Sequence, residues 1–160
     1  MEYVNRLLNH KEYRAQLAQL EVLEKDRIYC KHGIDHLLAV ARIAQLKNIK
    51  RQQPVDKEEI YLAALLHDLG RVDEYQSGTP HEEAGVRKAA YFLEQISIEE
   101  PKKTEIIHAI SKHREKEKEQ EQVLSVLLQE ADKESRNCRF CAAYESCKWS
   151  EDKKNHVLWN

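Results

Sequence analysis

Residues 63–71, Ala-Ala-Leu-Leu-His-Asp-Leu-Gly-Arg, constrain the fold more than any other stretch. An apolar run ends there in two adjacent polar residues, His67 and Asp68, and Gly70 follows. A glycine just past an apolar run predicts a helix stop. An imidazole and a carboxylate at the end of a buried helix are costly to leave unpaired. The aspartate can hold its own neighbour, or a divalent metal can take both as ligands. Asp56 predicts the helix start as an N-cap, with Glu59 as the return half of a capping box. Over about 57–68, Ile60, Ala63, Ala64 and His67 share one face. This helix is the most apolar in the chain, which places it centrally.

The rest of the chain also reads as helix. Strands need clusters of turn residues at their ends. The 160 residues hold only 4 Gly and 3 Pro, and the long stretches between them carry helical spacing. The expected fold is all-α, in one domain large enough for a core of its own. Hydrophobic residues at 41% and charged residues at 34% suit a soluble globular protein. A formal net charge of −2 argues against a broad nucleic-acid surface. No run of 18 apolar residues predicts a membrane span. The start, Met-Glu-Tyr-Val-Asn-Arg, lacks a signal-peptide core. The expected compartment is the cytoplasm, where cysteines stay reduced.

Further histidines fall at helix ends or on inward faces. Residues 2–26 predict one or two amphipathic helices with a Leu17, Leu20, Leu23 stripe, and His10 as a solvated or capping residue. His32-Gly33 then leads into a helix with Asp35 as its N-cap. There His36, Val40 and Ile43 follow the three-and-four rule, so His36 faces inward. The direction of His32, across the glycine, stays open. Residues 47–55 link to the central helix, and 69–80 read as a loop. Thr79-Pro80-His81-Glu82 predicts a capped start with His81 in the first turn. That helix runs to about Gln95, and Gly85 admits a close neighbour. Ser97 to Glu100 is another capping box, opening a helix to about Lys112. His108 and His113 differ by about 140° around it, so they cannot both point inward. His113, three beyond Ile110, is the inward one. Residues 114–122 are a charge run that reads as a solvated segment. Apolar spacing returns at Val123 and ends at Ala131-Asp132-Lys133.

These ordered pieces resemble the HD-domain metal-dependent phosphohydrolases, in their small bacterial single-domain form. His36 with Val40-Ala41 and Ala44 is similar to the family's first histidine. Ala63 to Arg71 resembles its Ala-Ala-Leu-Leu-His-Asp-φ-Gly-Lys signature, and Ala131-Asp132-Lys133 its final aspartate. The resemblance covers about residues 32–136. It leaves an N-terminal helical segment, 1–30, and a cysteine-rich extension, 137–160. It implies a helical bundle of about six to seven helices. It also implies His36, His67, Asp68 and Asp132 as ligands of a divalent metal. His81 and His113 fall where some members hold a second ion, or would serve as acid–base groups. Ala109-Ile110-Ser-Lys-His113 resembles a stretch of small bacterial members that cleave dinucleoside polyphosphates. Arg71 departs from the family's usual lysine and brings a planar fork in place of a point charge.

The implied activity is hydrolysis of a phosphate ester or anhydride on a small, nucleotide-like substrate. Metal-bound water would supply hydroxide to phosphorus. Asp68, Arg71, His81 and His113 are the candidate catalytic residues. Arg71, Lys133 and Arg136, with Lys112 as a further cation, are expected to neutralise phosphate oxygens. One or two ions are expected, with Fe, Mn, Zn, Ni, Co and Mg all open. A non-catalytic metal- or nucleotide-binding regulatory module is the alternative. A monomer and a homodimer are both compatible. The cysteines form a separate question. Cys138-x-x-Cys141 and Cys147 can hold a metal if Cys30 or His156 joins them, or they are reduced structural thiols.

Overall fold

The computed structural model describes residues 1–113 and 122–157. They form eight α-helices: α1 Glu2–Asn9, α2 Lys11–Leu23, α3 Ile34–Lys50, α4 Lys57–Leu66, α5 Arg71–Ser77, α6 His81–Gln95, α7 Glu100–Lys112 and α8 Val123–Glu134. A 3₁₀ turn, Cys138–Phe140, follows, and there is no strand among the described residues. The all-α expectation holds. The charge run expected over 114–122 lies, but for Gln122, outside the described residues.

The bundle is built around α4. Asp56 caps it as expected, its carboxylate accepting from the Glu58 N–H at 2.8 Å. Ile60, Leu62, Ala63, Ala64, Leu65 and Leu66 are all fully buried. Burial of each large aliphatic side chain stabilises by about 2 kcal/mol, which offsets the cost of carrying two polar residues at the helix end. Helices α1, α3, α6, α7 and α8 all pack on α4. From α2, the buried Tyr13 hydroxyl donates to the Leu65 carbonyl at 2.9 Å.

Several local expectations are corrected. Residues 71–77, read as part of a loop, form α5. The Ser, Asp and Gly content of 69–80 suggests a loop, but Asp73 and Ser77 serve the helix end: Ser77 Oγ donates to the Asp73 carbonyl. Gly78 at φ +74° closes it, donating to the Glu74 carbonyl at 3.1 Å. Gly70 is not a left-handed stop. It is right-handed helical at φ −62°, and i to i+3 bonds carry the chain from α4 into α5. Its need for glycine is steric, because a Cβ there would lie 2.0 Å from the His81 carbonyl oxygen. Gly85 does admit a neighbour: a Cβ there would sit 3.4 Å from the His67 carbonyl oxygen.

The predicted caps at Asp35, Thr79 and Ser97 do not form. The N-cap positions are Gly33, Pro80 and Glu99, none with a side-chain cap bond. Ser97 is instead left-handed at φ 57°, and the Thr79 hydroxyl pairs with Ser77. Residues 2–26 form two helices, broken where His10 turns extended. The result brings five helix ends together: the starts of α3 and α6, and the finishes of α4, α7 and α8.

Candidate metal centre

Those ends carry a continuous file of imidazoles. Ring centroids are 5.6 Å apart for His32–His36, 5.6 Å for His36–His67, 5.5 Å for His67–His113 and 5.9 Å for His113–His81. His67 is completely buried, and His32, His81 and His113 nearly so. The file crosses four helices, so no sequence-local motif contains it.

Four members are oriented alike. His67 Nδ1 meets the Ala64 carbonyl at 2.7 Å, and His113 Nδ1 meets the Ile110 carbonyl at 2.6 Å. Each of these histidines caps the end of an apolar helix and uses a carbonyl freed in the last turn. His81 Nδ1 meets Glu74 Oε1 at 2.9 Å, and His36 Nδ1 meets Ser135 Oγ at 3.2 Å. The Ser135 hydroxyl already donates to the Asp132 carbonyl at 2.7 Å, so it accepts from His36. All four Nδ1 atoms therefore face acceptors, which puts the proton on Nδ1 and the lone pair on Nε2. The Nε2 atoms of His36, His67, His81 and His113 are buried without a hydrogen-bond partner. Nitrogens so oriented, each fixed from behind by an acceptor, are what a metal ion needs.

Carboxylates complete the arrangement. Asp68 Oδ2 lies 3.1 Å from His67 Nε2 and 3.4 Å from His36 Nε2, and Asp132 Oδ1 lies 3.4 Å from His36 Nε2. Ligand atoms of His36, His67, Asp68 and Asp132 all fall within 4.8 Å of one another, as do those of Asp68, His81 and His113. The two groups share Asp68. Burial works against charge on this carboxyl, but His67, His36 and Arg71 outweigh it and hold it well below the usual carboxylate range. Burial also opposes a charged His67, yet Asp68 and Asp132 hold its pKa above the ordinary histidine value. Burial and the neighbouring His67 push His113 down to about 4.

The cations are placed less uniformly. Arg71 is buried, with Nε donating to Asp68 Oδ1 at 2.8 Å and Nη1 to Glu74 Oε2 at 3.4 Å. It is thus tied to protein carboxylates, where the sequence suggested a partner for phosphate oxygens. Arg136 Nη2 lies 3.5 Å from Asp132 Oδ2, and its guanidinium covers the Trp149 ring at 3.9 Å. Lys133 is exposed on α8, and the Lys112 carbonyl accepts from Gln129 at 2.9 Å. His108 faces Ser125, away from the file.

Residues missed in the sequence lie behind the ligands. Glu24, at the end of α2, is buried and accepts from the His32 N–H at 2.7 Å and the Tyr75 hydroxyl at 2.8 Å. Its other close contact is His32 Nδ1 at 2.5 Å. Burial resists the charge, but these donors hold Glu24 down to about 2. Burial lowers His32 below the ordinary histidine value. Glu74 and Ser135 were also missed. Only His32, four residues before His36, left a trace in the spacing. A pocket of about 260 Å³ opens beside His36, lined by Glu21, Glu24, Lys31, Gly33, Ile34 and Asp35. A larger hollow of about 680 Å³ at the α1–α2 corner lies by His10 and Tyr91 and holds none of these ligands.

Comparisons with known proteins show the family and the fold. The chain is 38% identical over 159 residues, 99% of each sequence, to an uncharacterised protein of Clostridium beijerinckii. It is similar to the crystal structure of a predicted HD superfamily hydrolase from an uncultured Thermotogales bacterium. That likeness has a TM-score of 0.64 at 24% identity and covers 88% of this chain and 80% of that one. It is a likeness of fold. The family model for the HD domain matches residues 33–137, a span that runs from the glycine before His36 to just past Asp132. The chain belongs to the HD domain family.

Proposed function

We propose that the protein is a metal-dependent phosphohydrolase that cleaves a phosphate ester or anhydride of a small, nucleotide-like molecule. The supporting observation is the set of four buried Nε2 atoms, none with a hydrogen bond, grouped around Asp68. His36, His67, Asp68 and Asp132 would hold one divalent ion, and Asp68, His81 and His113 a second. Such an ion lowers the pKa of water and withdraws charge from a phosphoryl oxygen. Imidazole nitrogen with carboxylate oxygen suits Fe, Mn, Co, Ni or Zn better than Mg, which favours an all-oxygen shell.

The chain's own residues orient the rest. Arg71 fixes Asp68 from behind and, through Glu74, ties it to His81. We assign it a positioning role first, with phosphate contact as an addition. Arg136, at Asp132, is the better-placed cation for phosphate oxygens. Lys133 can act only from the rim. The pocket beside His36 carries three carboxylates, Glu21, Glu24 and Asp35, against one cation, Lys31. Acidic walls repel phosphate and accept from hydroxyls, so this pocket suits a sugar-sized leaving group. We place the activity in the cytoplasm, where such substrates occur.

The test is release of inorganic phosphate or nitrophenol from aryl phosphates and nucleotides by metal-loaded protein. Turnover lost on chelation and restored by the ion supports the reading. Metal and nucleotide binding without turnover, across all these substrates, identifies a regulatory module and overturns it.

A further inference from the structure

All 4 cysteines of the chain lie outside the metal centre described above. Cys30 lies in the connection between α2 and α3, and Cys138, Cys141 and Cys147 follow α8. Two kinds of contact join these segments. The Tyr29 hydroxyl donates to the Ser146 carbonyl at 3.0 Å, which sets the residues next to Cys30 and Cys147 against each other. Burial raises the Cys30 thiol most, and Arg136, Cys138 and Cys141 lie near enough to act on it as well, Arg136 lowering it and the two thiols raising it. All four thiols are free and half-buried.

The backbone of the tail is organised around them. Cys141 N–H donates to the Cys138 carbonyl at 3.1 Å, Tyr144 to Cys141 at 3.0 Å and Cys147 to Tyr144 at 3.2 Å. Three successive turns thus begin or end on a cysteine. Polar and stacking contacts fix the tail, but little apolar burial supports it. Between residues 137 and 157, Ala143 is the one buried hydrophobic residue, while Phe140 and Val157 stand 76% and 70% exposed. A segment with no core of its own needs a staple to beat the entropy of ordering it.

We infer that Cys30, Cys138, Cys141 and Cys147 form a second, thiolate metal site that staples the C-terminal segment to the α2–α3 connection. The ligand is a thiophilic centre, a zinc ion or an iron–sulfur cluster, since both take four cysteine thiolates. The sulfurs are not gathered within the 4.8 Å spread of the histidine–aspartate groups. Loading therefore draws them inward and tightens the tail. The site does not depend on the hydrolase reading. It does reach the other centre: Arg136 touches Asp132 and stacks on Trp149, and Asn155 donates to the Glu134 and Arg136 carbonyls at 2.8 Å.

The test uses the full chain, purified anaerobically, with metal, acid-labile sulfide and thiol reactivity measured together. Cobalt(II) is then added to stripped protein, because thiolate ligation gives a sulfur-to-cobalt charge-transfer band that imidazole and carboxylate cannot give. The expected band saturates at about one equivalent of cobalt. It persists in Asp68→Asn, which disables the other centre, and is lost in Cys138→Ser and in Cys30→Ser. Zinc without colour, or iron with sulfide and visible absorption, distinguishes the two centres, and either supports the site. Should Cys30→Ser fail to fold, thiol counting on wild type replaces it: all four thiols are protected when loaded and react after chelation. Free reaction of all four thiols in native metal-containing protein, or a Cys138–Cys141 disulfide under anaerobic conditions, overturns the inference.

Discussion

Helices α3 and α8 run side by side, and the pair buries charge at two places. At one, Lys47 on α3 is 2% exposed and donates to Glu130 Oε2 at 2.8 Å and Glu134 Oε1 at 2.6 Å. Arg51 reinforces Glu130 at 2.7 Å. At the other, His36 on α3 faces Asp132 on α8, with Asp68 and three more histidines alongside. The first cluster closes on itself, with opposite charges in contact and only Glu134 Oε2 left over. The second leaves four Nε2 atoms without a hydrogen bond, with only carboxylate oxygens near three of them. A buried charge cluster that satisfies itself holds two helices together. One that leaves convergent lone pairs at the cost of burial has a ligand to bind.

The largest expected effect breaks the open cluster. Asp68→Asn keeps the shape of the side chain but removes the carboxylate shared by both groups. Metal content should fall to background, and phosphate release should drop on the order of 10³-fold or more, as when a group acting only in the transition state is removed. Elemental analysis and kcat/KM on the same preparation check this. Near-normal metal content in that variant would remove Asp68 from the site. Asn is preferred to Ala because Asp68 also accepts from Arg71, and Ala would leave a buried guanidinium short of a partner.

The closed cluster should respond the other way. Lys47→Ala removes the cation shared by Glu130 and Glu134 and leaves Glu130 with Arg51 alone. Both are partly exposed, so the cost is below that of a fully buried pair, about 2 kcal/mol. Urea unfolding should show that loss, with metal content and kcat/KM unchanged. A fall in metal affinity of equal size would show that the two clusters are coupled through α3 and α8.

A smaller effect concerns pH in the metal-free protein. The His113 pKa is held at about 4, below its unfolded value. The unfolded chain therefore binds the proton first, and the stability from neutral His113 is present above about pH 6.5 and is lost as pH falls towards 4. His67 has the opposite sign: its raised pKa contributes below its unfolded value and fades as pH rises. The His113 contribution is isolated by comparison with His113→Asn under chelation. Wild type should lose about 2 kcal/mol more than the variant between pH 7 and pH 5. Parallel unfolding curves at both pH values would show that His113 is not buried in its neutral form.

The comparison also shows what a sequence can reveal about such a molecule. Periodicity and the helix-end positions brought His36, His67, Asp68, His81, His113 and Asp132 into view, because each element's inward face is a local property. The partners behind them were not legible. Glu24 reaches His32 and Glu74 reaches His81 across different helices. Gly70 was noticed for the wrong reason, since the atom that forbids a side chain there belongs to His81. Arg71 was visible as a cation, but its commitment to Asp68 and Glu74 depends on α5, which composition disguised as a loop. Lys47 meets two glutamates on α8, and partners 83 and 87 residues away leave no signal in local spacing.

The smallest effect separates two jobs of one hydroxyl. Ser135 Oγ donates to the Asp132 carbonyl, which ties it to the last turn of α8, and accepts from His36 Nδ1 at 3.2 Å. Of the four Nδ1 contacts this is the longest, and it is the one made by a hydroxyl. Removing it frees His36 to rotate or to change tautomer, while His67 and His113 stay fixed by backbone carbonyls. Loss of a hydrogen bond behind a metal-ligating histidine weakens binding about 10-fold at the mild end of the usual range. Ser135→Ala should therefore lower affinity at the His36 group by about that factor, measured by competition with a chelator. Ser135→Thr, which keeps the hydroxyl, should restore it. If the hydroxyl serves only the helix end, Ser135→Ala will instead lower the unfolding midpoint of metal-free protein and leave the chelator competition unmoved. The open cluster would then owe the orientation of His36 to packing against its neighbours in the imidazole file.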